Sequence, residues 1–223
     1  MLTYLSVTTR PHIAFSVHKC ACFSSAPKRS HELAVRRIAR YLKGMATKGY
    51  FLNPSTAKTL DCYVDADFAV NWTPLTSQDP SSVKSRTGYV ILFANCPLLW
   101  AFRQKLHTTE AEHIALTQAM RDLIPLQALL QDIISTINTT LAASTTYSTV
   151  FEDNKSCADL IKAPKMNPRT RHIAIKYHQF REHVRSGTIK IEWIDTTRQI
   201  ADIFTKPLPT SKLTFLRERF LGW

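Results

Sequence analysis

Glycine is scarce, with five residues in a chain of 223. A phosphate-cradling loop needs several close together, and neither a Walker-type nor a dinucleotide fingerprint is present. Acidic residues are also few, 17 against 29 lysines and arginines, leaving a net charge of +12. That balance points to a polyanionic partner, nucleic acid ahead of an anionic membrane. The five cysteines are odd in number and form no paired CxxC pattern. This excludes a disulfide framework and a zinc knuckle, and fits a reducing intracellular compartment. No apolar run is long enough to span a bilayer as a helix, and no membrane partner is expected. No secretory leader is read at the N-terminus. Met1-Leu2-Thr3-Tyr4 reads as mid-domain sequence, so a piece of a longer polypeptide is expected.

What is present suffices for a globular fold. A hydrophobic fraction of 44% excludes wholesale disorder, and 223 residues can bury a core without staples. The periodicity predicts helices over 12–25 and 30–43, the second capped by Ser30 and ending before Gly44. In the second, Ala34, Val35, Ile38, Tyr41 and Leu42 form an apolar stripe, with Arg36, Arg37, Arg40 and Lys43 turned mostly away. That cationic face suits phosphate contacts or simply solvent. Strands are predicted over 60–66, 87–94 and 98–102, the last restarted after Pro97. A helix over 109–134 should be kinked or split by Pro125. A short strand ending at Phe151 or Glu152, a short helix to Lys162, a helix over 173–185 and a strand over 188–194 follow. Two last helices are separated by Lys206-Pro207-Leu208-Pro209. The order implies an α/β fold with a mixed sheet.

Against the basic background, four acids stand in four separate segments: Asp65, Glu112, Asp153 and Asp202. Carboxylates are hard oxygen ligands suited to Mg²⁺. Two such ions roughly 4 Å apart can activate a water and stabilise a leaving oxygen in phosphodiester hydrolysis. Asp65 and Asp67 share one face of their strand, and either could ligate. Glu112 lines up with Ala115, Leu116, Ala119 and Leu123, whereas Glu110 lines up with His113, Ile114, Thr117 and Arg121. A carboxylate on the apolar face is costly unless paired or metal-bound, which favours Glu112. Asp153 ends a strand, where α/β sheets place functional groups, and Glu152 should point to the opposite side. Each acid also has a purely structural alternative. Asp153 could cap the following helix. Asp202 could be a first-turn acid behind a Thr196 or Thr197 cap. Asp67 could end a strand, and Glu112 could pair with an arginine.

The residues around these acids carry a resemblance. Tyr63-Val64-Asp65-Ala66-Asp67-Phe68-Ala69, Ser85-Arg86-Thr87-Gly88-Tyr89, Thr108-Thr109-Glu110-Ala111-Glu112, Asp153-Asn154-Lys155-Ser156 and the run from Gln199 to Pro209 closely resemble the RNase H region of copia-type LTR retrotransposon Pol polyproteins. Arg169-Thr170-Arg171-His172-Ile173 and Tyr177-His178 match as well. Thr9-Arg10-Pro11-His12-Ile13-Ala14-Phe15 resembles the distal end of the family's reverse transcriptase, and Arg40-Tyr41-Leu42-Lys43-Gly44 the segment between.

The resemblance implies an RNase H-like fold, a five-stranded mixed sheet flanked by helices, with an N-terminal helical extension. It divides the chain into a basic helical remnant and tether, 1–56, and an RNase H-like domain, 57–223. It implies cleavage of the RNA strand of RNA–DNA hybrids with two Mg²⁺ or Mn²⁺ ions held by Asp65, Glu112, Asp153 and Asp202. The products would carry a 5′-phosphate and a 3′-hydroxyl. RNA selectivity would come from contacts to 2′-hydroxyls, with Asn154 one candidate, and Arg36, Arg37, Arg40 and Lys43 would grip nucleic acid. The implied partners are the hybrid and the reverse transcriptase portion of the same polyprotein. The implied location is cytoplasmic, in a virus-like particle if the parent element is active, or nuclear. Two departures stand out. His113 replaces the family's usual tyrosine, and Asp195-Thr196-Thr197-Arg198-Gln199 holds no histidine, which leaves proton delivery unassigned. His172 and His178 read as structural. No Tyr-x-Asp-Asp polymerase motif, integrase His-His-Cys-Cys pattern or Asp-Ser/Thr-Gly protease signature occurs. The competing reading is a degenerate or domesticated retrotransposon fragment that binds nucleic acid without catalysis.

Overall fold

The structure is a computed structural model that describes residues 1–67, 84–105, 111–137, 147–162 and 181–223. The polar, proline-containing stretch 71–84 lies almost wholly outside these residues, as do Glu110, His172 and His178. Of the helix predicted over 173–185, residues 181–185 are described and are helical.

Five strands form one sheet. They are β1 (Leu60–Asp67), β2 (Ser85–Phe93), β3 (Cys96–Lys105), β4 (Ser148–Glu152) and β5 (Ile189–Trp193), in the spatial order β3-β2-β1-β4-β5. The β1, β2 and β3 meander is antiparallel, whereas β4 runs parallel to both β1 and β5. This is the five-stranded mixed sheet of an RNase H-like fold. The β2–β3 hairpin turns on Ala94 and Asn95, both at positive φ, the backbone that a tight two-residue hairpin requires. β3 begins before Pro97 rather than after it. The proline is tolerated because β3 is an edge strand and the ladder with β2 shifts register beside it, between Ile91 and Leu92.

Alternation along the strands separates two cores. On one face, Leu60, Cys62, Val64, Ile91, Val150 and Ile191 pack against α4 (Ala111–Ile137) through Ala115, Leu116, Ala119 and Leu123. These are the helix positions the sequence pattern marked apolar. Pro125 does not split α4: its 27 residues are continuous. The proline is exposed, so the carbonyl that loses its helical donor can turn to water. On the other face, Tyr63, Val90 and Leu92 pack against α6 (Asp202–Thr205) and α7 (Thr210–Leu221) through Ile203, Phe204, Leu216 and Phe220. The helix α5 (Lys155–Lys162) follows β4.

The N-terminal region holds one more helix than expected. α1 (Leu2–Thr8) precedes a 3-10 turn at Pro11–Ile13, α2 (Ala14–Ala21) and α3 (Arg29–Lys43). Lys28, not Ser30, takes the N-cap position of α3, and its N–H donates to His31 Nδ1 at 3.0 Å. Only Ile38 of the expected stripe is buried. Tyr41 and Leu42 are half-buried, and Ala34 and Val35 are exposed. These helices join the sheet through fully buried Ala14, through Trp100 Nε1 donating to the Ser6 carbonyl at 3.3 Å, and through a T-shaped His18–Phe102 contact. No helix among the described residues is long and apolar enough to cross a membrane.

Candidate active site

Side chains at odd positions of β1 point to the α6 face, which is why Tyr63 and Asp65 emerge there. Asp65 is fully buried near the strand end. β4 lies alongside in parallel, so its end delivers Asp153 to the same edge. Asp202, the first residue of α6, reaches the cluster because Gly88 lets that helix lie directly on β2. A Cβ there would come within 2.7 Å of Phe204 Cβ. Gln199 ties these elements together. Its Nε2 donates to the Val64 carbonyl at 2.8 Å and to the Phe151 carbonyl at 3.5 Å, and its Oε1 accepts from Ala201 N–H at 3.3 Å.

The outcome is a cluster in which Asp65, Asp153 and Asp202 each offer an oxygen within 4.8 Å of the others. Lys206, one turn beyond Asp202, inserts into it. Its Nζ lies 2.6 Å from Asp202 Oδ1, 2.9 Å from Asp65 Oδ1 and 3.9 Å from Asp153 Oδ2. Lys212 of α7 holds the second Asp202 oxygen at 2.5 Å. The Thr205 hydroxyl donates to Asp65 Oδ2. Burial opposes the charge of Lys206, yet the Asp65 and Asp202 carboxylates outweigh it and hold the ammonium firmly protonated. Burial pushes the Asp65 carboxyl up to about 7. Asp202 and Asp153 add to this, and Lys206 and Thr205 pull against it.

Glu112 stands outside this tight group, at the start of α4, but within its field. Burial and the Asp65 and Asp153 charges push its carboxyl up to about 8, against Lys206 and a bond from the Ala66 backbone. Its Oε2 is buried and has no hydrogen-bond partner among the described residues. Glu152 lies on the α4 side, away from Asp153, as alternation requires. It is fully buried, raised by burial and by Glu112, and one oxygen accepts from Asn154 N–H at 3.1 Å. Asp67, half-buried, is not among the three mutually close acids.

The other candidates are placed as follows. Asn154, rather than Asp153, caps α5, its Oδ1 accepting from Cys157 N–H at 3.2 Å. Asp195, rather than Thr196 or Thr197, caps the 3-10 turn before α6, accepting from Thr197 N–H at 2.8 Å. Arg36, Arg37, Arg40 and Lys43 are exposed on α3, where Arg36 pairs with Glu32 at 2.7 Å. α3 packs on α2, which in turn packs on α6. His113 sits with Nδ1 3.1 Å from Cys157 Sγ, bridging α4 and α5. The lysines and Gln199 are the components that the sequence reading did not assign. The four-residue spacing of Asp202, which opens the helix, and Lys206, which caps its end, was the available signal.

The donor set fits hard divalent cations. Three convergent carboxylates, with the orphaned Glu112 oxygen beside them, supply only oxygen. Asp65, Asp153, Asp202 and Glu112 are the residues that would hold such ions.

No family model matches the chain. It is 34% identical over 97% of its length to the retrovirus-related Pol polyprotein of transposon TNT 1-94 of Nicotiana tabacum, and 31% identical over 93% to that of transposon RE1 of Arabidopsis thaliana. It spans 15% and 13% of their lengths. Among solved structures, the N-terminal RNase H domain of a Mycobacterium tuberculosis protein overlaps 73% of this chain and 98% of its own. The TM-score is 0.44 and the identity 13%. LC11-RNase H1, isolated from compost by a metagenomic approach, overlaps 67% of this chain and 94% of its own at TM-score 0.44 and 15% identity. The chain is a homologue of the retrovirus-related Pol polyproteins of plant transposons, matched along nearly all of its own length.

Proposed function

We propose that this chain is the RNase H portion of a copia-type Pol polyprotein and cleaves the RNA strand of RNA–DNA hybrids. The observation that carries this reading is the convergence of Asp65, Asp153 and Asp202 from three separate elements within 4.8 Å. Bound Mg²⁺ or Mn²⁺, two ions in the full site, would supply Lewis acidity for the phosphodiester and an acidified water. The chain's own part is to hold the ligands rigidly. Asp65 and Asp202 are sealed in the core, Gln199 locks the strand ends, and Gly88 seats α6 against the sheet. Glu112 completes the ligand set from the opposite helix. The basic face of α3 and residues 1–56 would serve as tether and grip on the hybrid. The reverse transcriptase portion of the polyprotein is the expected partner, in the cytoplasm or a virus-like particle.

The test is incubation of the purified chain with labelled RNA–DNA hybrid, first with Mg²⁺ and then with EDTA. Cleavage that stops on chelation supports the reading. Asp65→Asn and Asp153→Asn should each lower the rate at least about 100-fold with hybrid binding retained, because even outer partners of metal ligands are worth roughly 10–100-fold. Undiminished cutting by either variant removes that residue from the set. Hybrid binding without any cleavage by the unmodified chain favours the non-catalytic alternative.

A further inference from the structure

The carboxylate cluster already contains a cation. Lys206 Nζ bridges Asp65 Oδ1 and Asp202 Oδ1 at 2.9 and 2.6 Å, the two most deeply buried acids of the site, with side chains 1% and 0% exposed. Lys212 takes the remaining Asp202 oxygen at 2.5 Å, and Thr205 takes the remaining Asp65 oxygen. On this side of the cluster every carboxylate oxygen is engaged by the protein itself. The Asp153 and Glu112 side differs. Asp153 receives Lys206 at 3.9 Å, and Glu112 Oε2 has no hydrogen-bond partner among the described residues.

From this asymmetry the geometry points to Lys206 as an internal cation that occupies the Asp65–Asp202 position, so that the two ion positions of the cluster fill unequally. The first divalent ion enters on the under-compensated Asp153–Glu112 side. The second binds only when Lys206 withdraws from the two oxygens it bridges. The inference rests on the metal-dependent reading above and adds its regulation. An ammonium and a dication cannot bridge one oxygen pair together, since like charges at contact distance in a buried site are strongly unfavourable. Withdrawal is sterically open. The Lys206 side chain is 27% exposed, and its long stem can swing the head to water while both aspartates stay fixed.

The experiment is calorimetric titration of Mn²⁺ into the full 223-residue chain and into its Lys206→Gln variant, with thermal unfolding of both followed with and without Mn²⁺. The expected result is one tight and one weak site in the unmodified chain. In Lys206→Gln the weak site should tighten roughly tenfold to thousandfold, the effect on charge equilibria of a charge held within about 4 Å. The variant should melt lower than the unmodified chain without metal and gain more from Mn²⁺. Equal affinities and stoichiometry in the two proteins overturn this inference alone. Absence of Mn²⁺ binding in both overturns the metal reading and the inference with it. Should the variant fail to fold, the ammonium resonance of Lys206 in ¹⁵N-lysine-labelled unmodified chain gives the answer. Under titration with diamagnetic Mg²⁺, a shift of that signal during filling of the weaker site supports displacement, and a signal unchanged through saturation overturns it.

Discussion

Gln199 is a polar side chain with no exposure at all, and its burial is compensated only because both ends of its amide are used. It supplies a donor to β1 and β4 where the two strands end, and an acceptor to the turn leading into α6. Gln199→Ala should therefore cost about 1–3 kcal/mol by denaturant unfolding, the penalty for stranding buried carbonyls. A loss below a few tenths would show that water replaces the amide. The sequence reading preferred Glu112 to Glu110 because a carboxylate on the apolar face of a helix is costly unless compensated. The structure puts the Glu112 carboxyl in the field of Asp65 and Asp153, while Glu110 lies outside the described residues. Asp65 and Asp67 share a strand face, so sequence alone left them equal. Burial separates them, because Thr205 and Lys206 cover the buried Asp65 carboxylate while Asp67 lies at the strand's exit, half-buried. Lys206 was not legible as a member of the cluster. A lysine one turn from an aspartate is common on solvated helices, and only the arrival of β1 and β4 turns it inward.

Among the elements, α6 is the most constrained by a neighbour's lack of a side chain. Gly88→Ala would drive a methyl into Phe204 Cβ at 2.7 Å and Thr205 Cγ2 at 3.1 Å. Such overpacking costs about 1–3 kcal/mol, and lifting α6 would carry Asp202 away from Asp65. The variant should lose cleavage out of proportion to its loss in melting temperature, and a variant with full activity would show that α6 adapts. The N-terminal helices carry a pH dependence of their own. His12 is buried against Tyr41 and Trp223, and neither ring nitrogen has a hydrogen-bond partner among the described residues. Burial, with Arg10 and Arg217 adding, lowers it to about 4 from the usual 6.5. The folded chain thus binds fewer protons than the unfolded chain between these values, so stability falls as pH drops from 6.5 to 4. The loss should be on the order of 3 kcal/mol. His12→Phe should flatten that part of a stability-versus-pH curve, and an unchanged curve would place the proton sink elsewhere. The long helix α4 was legible in outline, but its continuity through Pro125 was not. Whether a proline splits a helix depends on water reaching the freed carbonyl, which exposure decides and periodicity does not record.

For the whole molecule, the mixed sheet followed from the order of elements, whereas the spatial order of its strands is read from the structure. The extra helix α1 and the narrowing of the α3 stripe to Ile38 did not follow either, because they depend on which face the sheet presents to the N-terminal segment. The excess of basic residues predicts a salt-sensitive grip on nucleic acid. Arg36→Ala combined with Arg40→Ala should weaken hybrid binding and reduce the salt slope by about two phosphate contacts. An unaltered slope assigns that face to solvent, and the Glu32 partner of Arg36 makes Arg40 the stronger contributor of the two.

The outer rim of β3 pairs with no strand among the described residues. In a crowd of identical chains, such a rim is where a neighbour's backbone would add first. Pro97 removes one rung from that ladder, and the register shift opposite it twists the rim out of line. Strand-by-strand stacking into fibres is thereby discouraged, even when the chain is packed at high density.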